Sequence, residues 1–94
     1  MRNNIYMQEE VVILSGSRTA IGSFGGSLKS VSPIELGTVV AKKALENSGV
    51  DKNEFGQVAF GHVINTEPKD MYLSRVIALN SGLPKSVAAM NVNR

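Results

Sequence analysis

The strongest constraint on the fold is a helix start set between two apolar runs. Ser32 can cap free backbone amides with its hydroxyl, Pro33 suits the first helical position, and Glu35 completes a Ser-x-x-Glu capping box. The pattern continues to about Ser48, where Gly49 supplies a left-handed closing residue. Ile34, Leu36, Val39, Val40, Ala41, Ala44 and Leu45 form a broad apolar stripe, as a helix that covers a sheet requires. Lys42 and Lys43 lie in its second half, and Glu46 opposes the helix dipole.

Strand patterns flank this helix. Val11-Val12-Ile13-Leu14, bounded by Glu9-Glu10 and Ser15-Gly16-Ser17, predicts a strand buried on both faces. Residues 57–64 predict a second strand in which Ala59 and Gly61 permit close approach of neighbouring backbone. Asp70 suits the N-cap of a second helix over residues 71–80, closed by Gly82 and blocked by Pro84. Residues 87–92 predict a third strand. Strands alternating with helices imply parallel pairing through right-handed crossovers, so the expected class is α/β, a β-α-β-α-β open sheet covered by helices.

The remainder of the chain is less regular. Residues 17–32 form a long connection rich in Gly and Ser, anchored by Ile21, Phe24, Leu28 and Val31, and connections of this length are usually functional or interface-forming. Residues 1–8 read as a flexible extension and residues 9–94 as the first part of an incomplete domain. The third strand pattern runs to Arg94 with no glycine, cap or polar tail after it, which suggests a larger domain.

Composition narrows the partners. Hydrophobic residues at 43% and charged residues at 19% mark an ordinary soluble domain rather than a disordered segment. The net charge is +2, the basic residues are scattered except for Lys42-Lys43, and aromatics are 5%. Neither a phosphate-tracking stripe nor a base-stacking platform is present, so no nucleic-acid partner is expected. The chain has no cysteine, which removes disulfides, thiolate metal sites and a cysteine nucleophile from these residues. No apolar run approaches a bilayer span and no secretory h-region is evident, so no membrane is expected and a cytoplasmic setting is.

Each chemically suggestive residue has a plainer reading. His62, the single histidine, reads most simply as a sheet residue with a hydrogen-bonded or exposed ring; catalysis or metal ligation would need oriented partners that the sequence does not place. Gly22, Gly25 and Gly26 follow a strand pattern, but they do not open a helix in the G-x-G-x-x-G manner and no Gly-Lys-Ser/Thr is present. Packing of the loop is the simpler role. Arg18 beside Thr19 is an anion contact or, more simply, a tie to loop carbonyls. Glu35, Glu67 and Asp70 show no metal-ligand spacing and read as solvated surface. Leu73, Val76, Ile77 and Leu79 read as core, whereas Met71 and Tyr72 combine size with polarity or flexibility and suggest a contact surface.

Taken together, residues 11–28 (VVILSGSRTAIGSFGGSL), Glu35-Leu36-Gly37, Phe60-Gly61-His62-Val63-Ile64, Arg75 and Val92-Asn93-Arg94 resemble the amino-terminal segment of a thiolase, an acetyl-CoA acyltransferase. Order and spacing agree from about Glu9 onward. The resemblance implies a fold of two similar α/β halves, assembly as homodimers or homotetramers, and acyl-CoA as substrate with no cofactor and no metal. It also implies the reaction: a cysteine thiolate takes an acyl group from CoA, and the α-carbanion of a second acyl-CoA attacks the acyl-enzyme, or the reverse cleavage occurs. In the family an Asn-Arg-like pair directly precedes the nucleophile, so Asn93 and Arg94 match that pair and the cysteine falls just beyond Arg94. No catalytic residue carries over onto this sequence.

The resemblance further implies that Arg18, Thr19, Gly22 and Gly26 form the structural loop after the first strand. Residues 87–92 fall on the strand that the family uses between subunits, and Met71 and Tyr72 fall where the family often lines the active-site entrance of the partner subunit. Two readings follow. In one, these residues are the first part of a thiolase and act only with the remainder of the polypeptide. In the other, they are a stand-alone, non-catalytic binding or scaffold module with a thiolase-like half-sheet. The connection Thr66-Glu67-Pro68-Lys69-Asp70 differs from the glycine-rich form of short-chain enzymes and leans toward a broader acyl preference.

Overall fold

The computed structural model describes residues 9–94, so the extension expected at residues 1–8 lies outside the described residues. The elements form where local chemistry places them. Helix α1 spans Pro33–Ser48, with the Ser32 hydroxyl accepting the Glu35 N–H at 3.1 Å and the Glu35 carboxylate accepting the Ser32 N–H at 2.9 Å. Gly49, with φ of 70°, closes it and donates its N–H to the Glu46 carbonyl. A 3₁₀ turn at Lys52–Glu54, capped by Asp51, leads into strand β1, Gln57–Gly61. A second 3₁₀ turn, Pro68–Tyr72, runs directly into helix α2, Leu73–Asn80, and strand β2 is Ala88–Val92.

Strands β1 and β2 pair in parallel, with Gln57 opposite Ala88 and Gly61 opposite Val92, and α2 is their crossover. One face of this two-stranded sheet, carrying Val58, Phe60, Ala89 and Asn91, turns toward the helices; the alternate residues are exposed. The core has two parts. Ile34, Leu73 and Ile77 pack with Ala41, Phe60 and Val76, while Ala78, Leu83 and Val87 pack with Leu45, Phe55 and Val58. Helices α1 and α2 approach closely at Gly37, where an added Cβ would collide with Ile77 Cδ1 and come within 3.2 Å of its Cγ1.

Three expectations are corrected. Residues 11–14 do not form a strand: Val11 and Ile13 are 93% and 94% exposed, and no backbone ladder receives them among the described residues. The Ser15 and Ser17 hydroxyls instead donate to the α1 carbonyls of Ala44 and Val40, each at 2.7 Å, and hold the segment along that helix. A β-branched run has strand propensity, but it becomes a strand only against a partner edge.

The second strand stops at Gly61 rather than at residue 64. The His62 N–H still bonds the Val92 carbonyl at 2.9 Å, and Val63 and Ile64 are exposed. The second helix begins at Leu73, so Asp70 is not its N-cap; it lies inside the preceding 3₁₀ turn and is fully buried rather than solvated. The cause is a knot of donors around its carboxylate, described below. Glu35 and Glu67 are exposed.

Candidate functional site

In open α/β sheets, ligands collect beyond the carboxyl ends of parallel strands, where loops diverge and backbone groups are free. Here those ends are Gly61 of β1 and Val92 of β2. The residues that follow are tied to one another: the His62 N–H reaches the Val92 carbonyl, and the Asn93 Nδ2 donates to the Val63 carbonyl at 3.3 Å. Asn93 and Arg94 are exposed at this edge.

The same edge carries the 3₁₀ turn. Asn91, on the inward face of β2, grips three backbone groups of the turn and the start of α2. Its Oδ1 accepts the Ser74 N–H at 2.9 Å, and its Nδ2 donates to the carbonyls of Asp70 and Met71 at 3.2 and 3.1 Å. From the other side, Asp70 Oδ2 accepts the Thr66 N–H at 2.6 Å, the Thr66 hydroxyl at 2.7 Å and the Glu67 N–H at 3.2 Å. The Thr66 backbone N–H above all, then its hydroxyl, holds the Asp70 carboxyl below its ordinary value; the Glu67 N–H and the nearby His62 add to this, against the opposing effect of burial.

His62 is neither hydrogen-bonded through Nε2 nor well exposed. Its side chain is 13% exposed and its Nε2 stands 3.7 Å from Asp70 Oδ2. Asp70 Oδ1 is likewise buried without a partner. Met71 and Tyr72 emerge from the clamped turn into solvent at 63% and 64% exposure. Arg75 of α2 donates to the Val87 carbonyl at 3.1 Å, just before β2.

Arg18, Thr19, Gly22 and Gly26 lie apart from this edge. Arg18 donates to the Thr19 carbonyl at 3.0 Å, the Thr19 hydroxyl donates to the Ala20 carbonyl at 2.9 Å, and the Gly26 N–H bonds the Ser23 carbonyl at 2.8 Å. Gly22 faces the side chain of Leu28. These contacts are internal to the loop. Arg18 also borders a shallow concavity of about 350 Å³ with Lys42, Lys43 and Glu46 on α1. The structure therefore brings Met71, Tyr72 and Asn93 to one region and leaves the loop residues in another. Among the described residues, no group of three or more His, Cys, Asp or Glu is arranged to hold a metal ion.

Sequence reasoning placed Asp70 at a helix N-cap and missed its burial, and it missed Asn91 as a structural determinant. The signal for Asn91 was a lone amide within an apolar strand pattern, at a position whose alternation turns it inward. For Asp70 it was Thr66 four residues earlier, before a Glu-Pro pair that starts a 3₁₀ turn.

A parallel β-α-β unit with its polar contacts gathered at the strands' carboxyl edge defines a piece of an α/β domain. The chain belongs to the thiolase family: the family described as "Thiolase, N-terminal domain" matches residues 11–94. It is 54% identical over 88 residues to beta-ketothiolase BktB of Cupriavidus necator, a match covering 94% of this chain and 22% of that protein. It is 42% identical over 84 residues to an acetyl-CoA acetyltransferase of Clostridioides difficile, covering 89% of this chain and 78% of that sequence.

Solved structures agree. The Acat5 thiolase from Ascaris suum, determined in complex with coenzyme A, superposes with a TM-score of 0.81 at 33% identity, over 87% of this chain and 21% of that one. Human mitochondrial 3-ketoacyl-CoA thiolase, also in complex with CoA, gives 0.81 at 31% identity, over 85% of this chain and 20% of that one. The chain thus spans about a fifth of the length of most of these relatives. No helix among the described residues is long and apolar enough to cross a membrane.

Proposed function

We propose that the protein carrying this chain is an acyl-CoA thiolase, which transfers acyl groups between CoA thioesters by Claisen condensation or thiolytic cleavage. Residues 9–94 are the first part of its amino-terminal domain and do no chemistry without the remainder. The observation that carries this reading is the family match across residues 11–94, which runs through Asn93 and Arg94 at the carboxyl edge of the parallel pair. A nucleophilic cysteine directly after Arg94 would leave from the end of β2. Asn91 and Asn93 tie that strand end to the 3₁₀ turn and to the Val63 carbonyl, a restraint that supports this reading. These residues orient the reaction centre; they do not supply its nucleophile, since they contain no cysteine.

The substrates are CoA thioesters, and neither a cofactor nor a metal takes part. Assembly is as a homodimer or homotetramer, in the cytoplasm. The exposed face of the β1–β2 sheet, with Met90 at 48% and Val92 at 39% exposure, is the surface on which the remainder of the polypeptide packs.

Two measurements test this. Native mass spectrometry should give a species many times heavier than 10.1 kDa that contains this sequence together with a cysteine-bearing segment. That species should cleave acetoacetyl-CoA with free CoA as co-substrate, followed by loss of the ketoacyl enolate absorbance. A homogeneous, cooperatively folded lone species of 10.1 kDa would overturn the reading in favour of a non-catalytic binding module.

A further inference from the structure

We propose that His62 and Asp70 act as a buried pair in which the imidazole carries its proton on Nε2 and directs it at the carboxylate, and that His62 is thereby a positioning residue for the nucleophile of the thiolase reaction. The inference rests on the thiolase reading and deepens it.

His62 stands where the ends of both strands meet the 3₁₀ turn. Its N–H bonds the Val92 carbonyl at 2.9 Å, and the parallel register, with Gly61 opposite Val92, carries on to set His62 opposite Asn93. Asn93 returns the contact one residue further along, donating its Nδ2 to the Val63 carbonyl at 3.3 Å. The His62 ring reaches the fully buried Asp70 of the turn, with Nε2 3.7 Å from Oδ2. Asn91 closes the circuit by bonding the same turn from β2.

Charge decides where the imidazole proton sits. Asp70 faces the ring as an anion, because the Thr66 N–H above all, then its hydroxyl, hold the carboxyl below its ordinary value. A nitrogen lone pair aimed at that anion is repelled and an N–H is attracted, so the tautomer with the proton on Nε2 is favoured. Both Nε2 and Asp70 Oδ1 are enclosed without a hydrogen-bond partner, so the carboxylate keeps acceptor capacity for this proton. At 3.7 Å the contact exceeds an N–H···O bond by less than ~1 Å, and closing it draws the turn onto the strand ends.

A histidine that only filled space would gain nothing from a carboxylate beside it, since burying two polar groups costs more than burying apolar ones. The pair does link the turn to the strand end that leads to the nucleophile. Asn93, the register neighbour of His62, is followed by Arg94 and then by the proposed cysteine segment, so a shift at His62 is passed to the thiolate. A misplacement of about 1 Å is enough to cost on the order of a hundredfold in rate.

The test compares kcat and KM for acetoacetyl-CoA thiolysis, together with the melting temperature, in the complete enzyme and three variants. His62→Leu removes the donor, His62→Asn is polar but too short to reach Asp70, and His62→Gln places an amide N–H near the position of Nε2. The Leu and Asn variants should lose roughly ten- to a hundredfold in kcat with KM within about twofold, and the Gln variant should return to within about threefold of wild type.

A wild-type kcat in His62→Leu or His62→Asn overturns the proposal, as does a Gln variant no better than Asn. Lower melting temperatures with kcat unmoved would assign the pair to stability alone and likewise overturn it. Should the Leu and Asn variants not fold, nitrogen-15 spectra of the histidine-labelled enzyme decide, the His62 signal being the one absent from His62→Gln. A proton on Nε2 is expected, and a proton on Nδ1 overturns the pair. A wild-type enzyme with no thiolysis would overturn the thiolase reading and this inference together, whereas an active enzyme indifferent to His62→Leu would overturn this inference alone.

Discussion

Asn91 Oδ1 accepts the backbone N–H of Ser74 at 2.9 Å, which joins β2 to the first turn of α2 across 17 residues of sequence. The first N–H groups of a helix have no partner within it, and α2 has no side-chain cap of its own. Asn91 therefore acts as a cap supplied from another element. Asn91→Leu, nearly isosteric but unable to bond, should remove the cap on the Ser74 N–H and one donor each from the Asp70 and Met71 carbonyls, the former keeping the Leu73 N–H. A destabilisation of about 1–3 kcal/mol is expected. Urea unfolding of the complete protein with Asn91→Leu against wild type measures it, and a difference indistinguishable from zero would mean that water replaces the amide at no cost.

Gly37 faces Ile77, the most buried large residue of the core. Alanine in the middle of a helix would ordinarily gain about 1 kcal/mol over glycine. Here the new methyl would sit within the Ile77 side chain and close to Phe60, and overpacking of this kind costs about 1–3 kcal/mol. Gly37→Ala should therefore lower the melting temperature. A rise would show that α1 and α2 separate easily to admit the methyl.

Ser32 and Glu35 satisfy each other's backbone N–H groups at the start of α1. Ser32→Ala should cost about 1 kcal/mol, and Ser32→Asp, which restores an acceptor at a position favoured by the dipole, should recover most of it. Thermal unfolding of the pair of variants checks the order: wild type and Ser32→Asp above Ser32→Ala.

Asp70 gives a pH dependence of fixed sign. Its folded value lies below the ordinary 3.8, chiefly because the Thr66 N–H bonds the ionised form. A depressed carboxylate contributes stability that is complete above its unfolded value and is lost as pH falls through the folded one. The stability gap between wild type and Asp70→Asn should thus be constant from neutral pH down to about 5, then close as the acid range below 3.8 is entered. Denaturant titrations at stepped pH would show it; a gap that widens toward acid would contradict the assigned donors.

Much of this was legible before any coordinates. Ser32, Pro33, Glu35 and Gly49 fix the ends of α1 by short-range bonds among neighbours, and both ends fall where the sequence places them. The alternation of apolar runs with helical patterns was sufficient for an α/β class with parallel pairing, because a crossover helix between strands leaves little other choice. Residues 11–14 mark the limit: their composition gives strand propensity, but whether a ladder receives them depends on an edge elsewhere, and in this structure they lie along α1.

The site divides in the same way. Met71, Tyr72, Asn93 and Arg94 were singled out from the sequence, yet nothing in it said what restrains them. Sequence by itself determined α1 and its two caps, since those rest on contacts between residues a few positions apart. The burial of Asp70, the grip of Asn91 on α2 and the approach of Gly37 to Ile77 were decided by tertiary structure alone. Each depends on which surface a neighbouring element presents once the chain has folded, and a polar or small residue gains its role only from that surface.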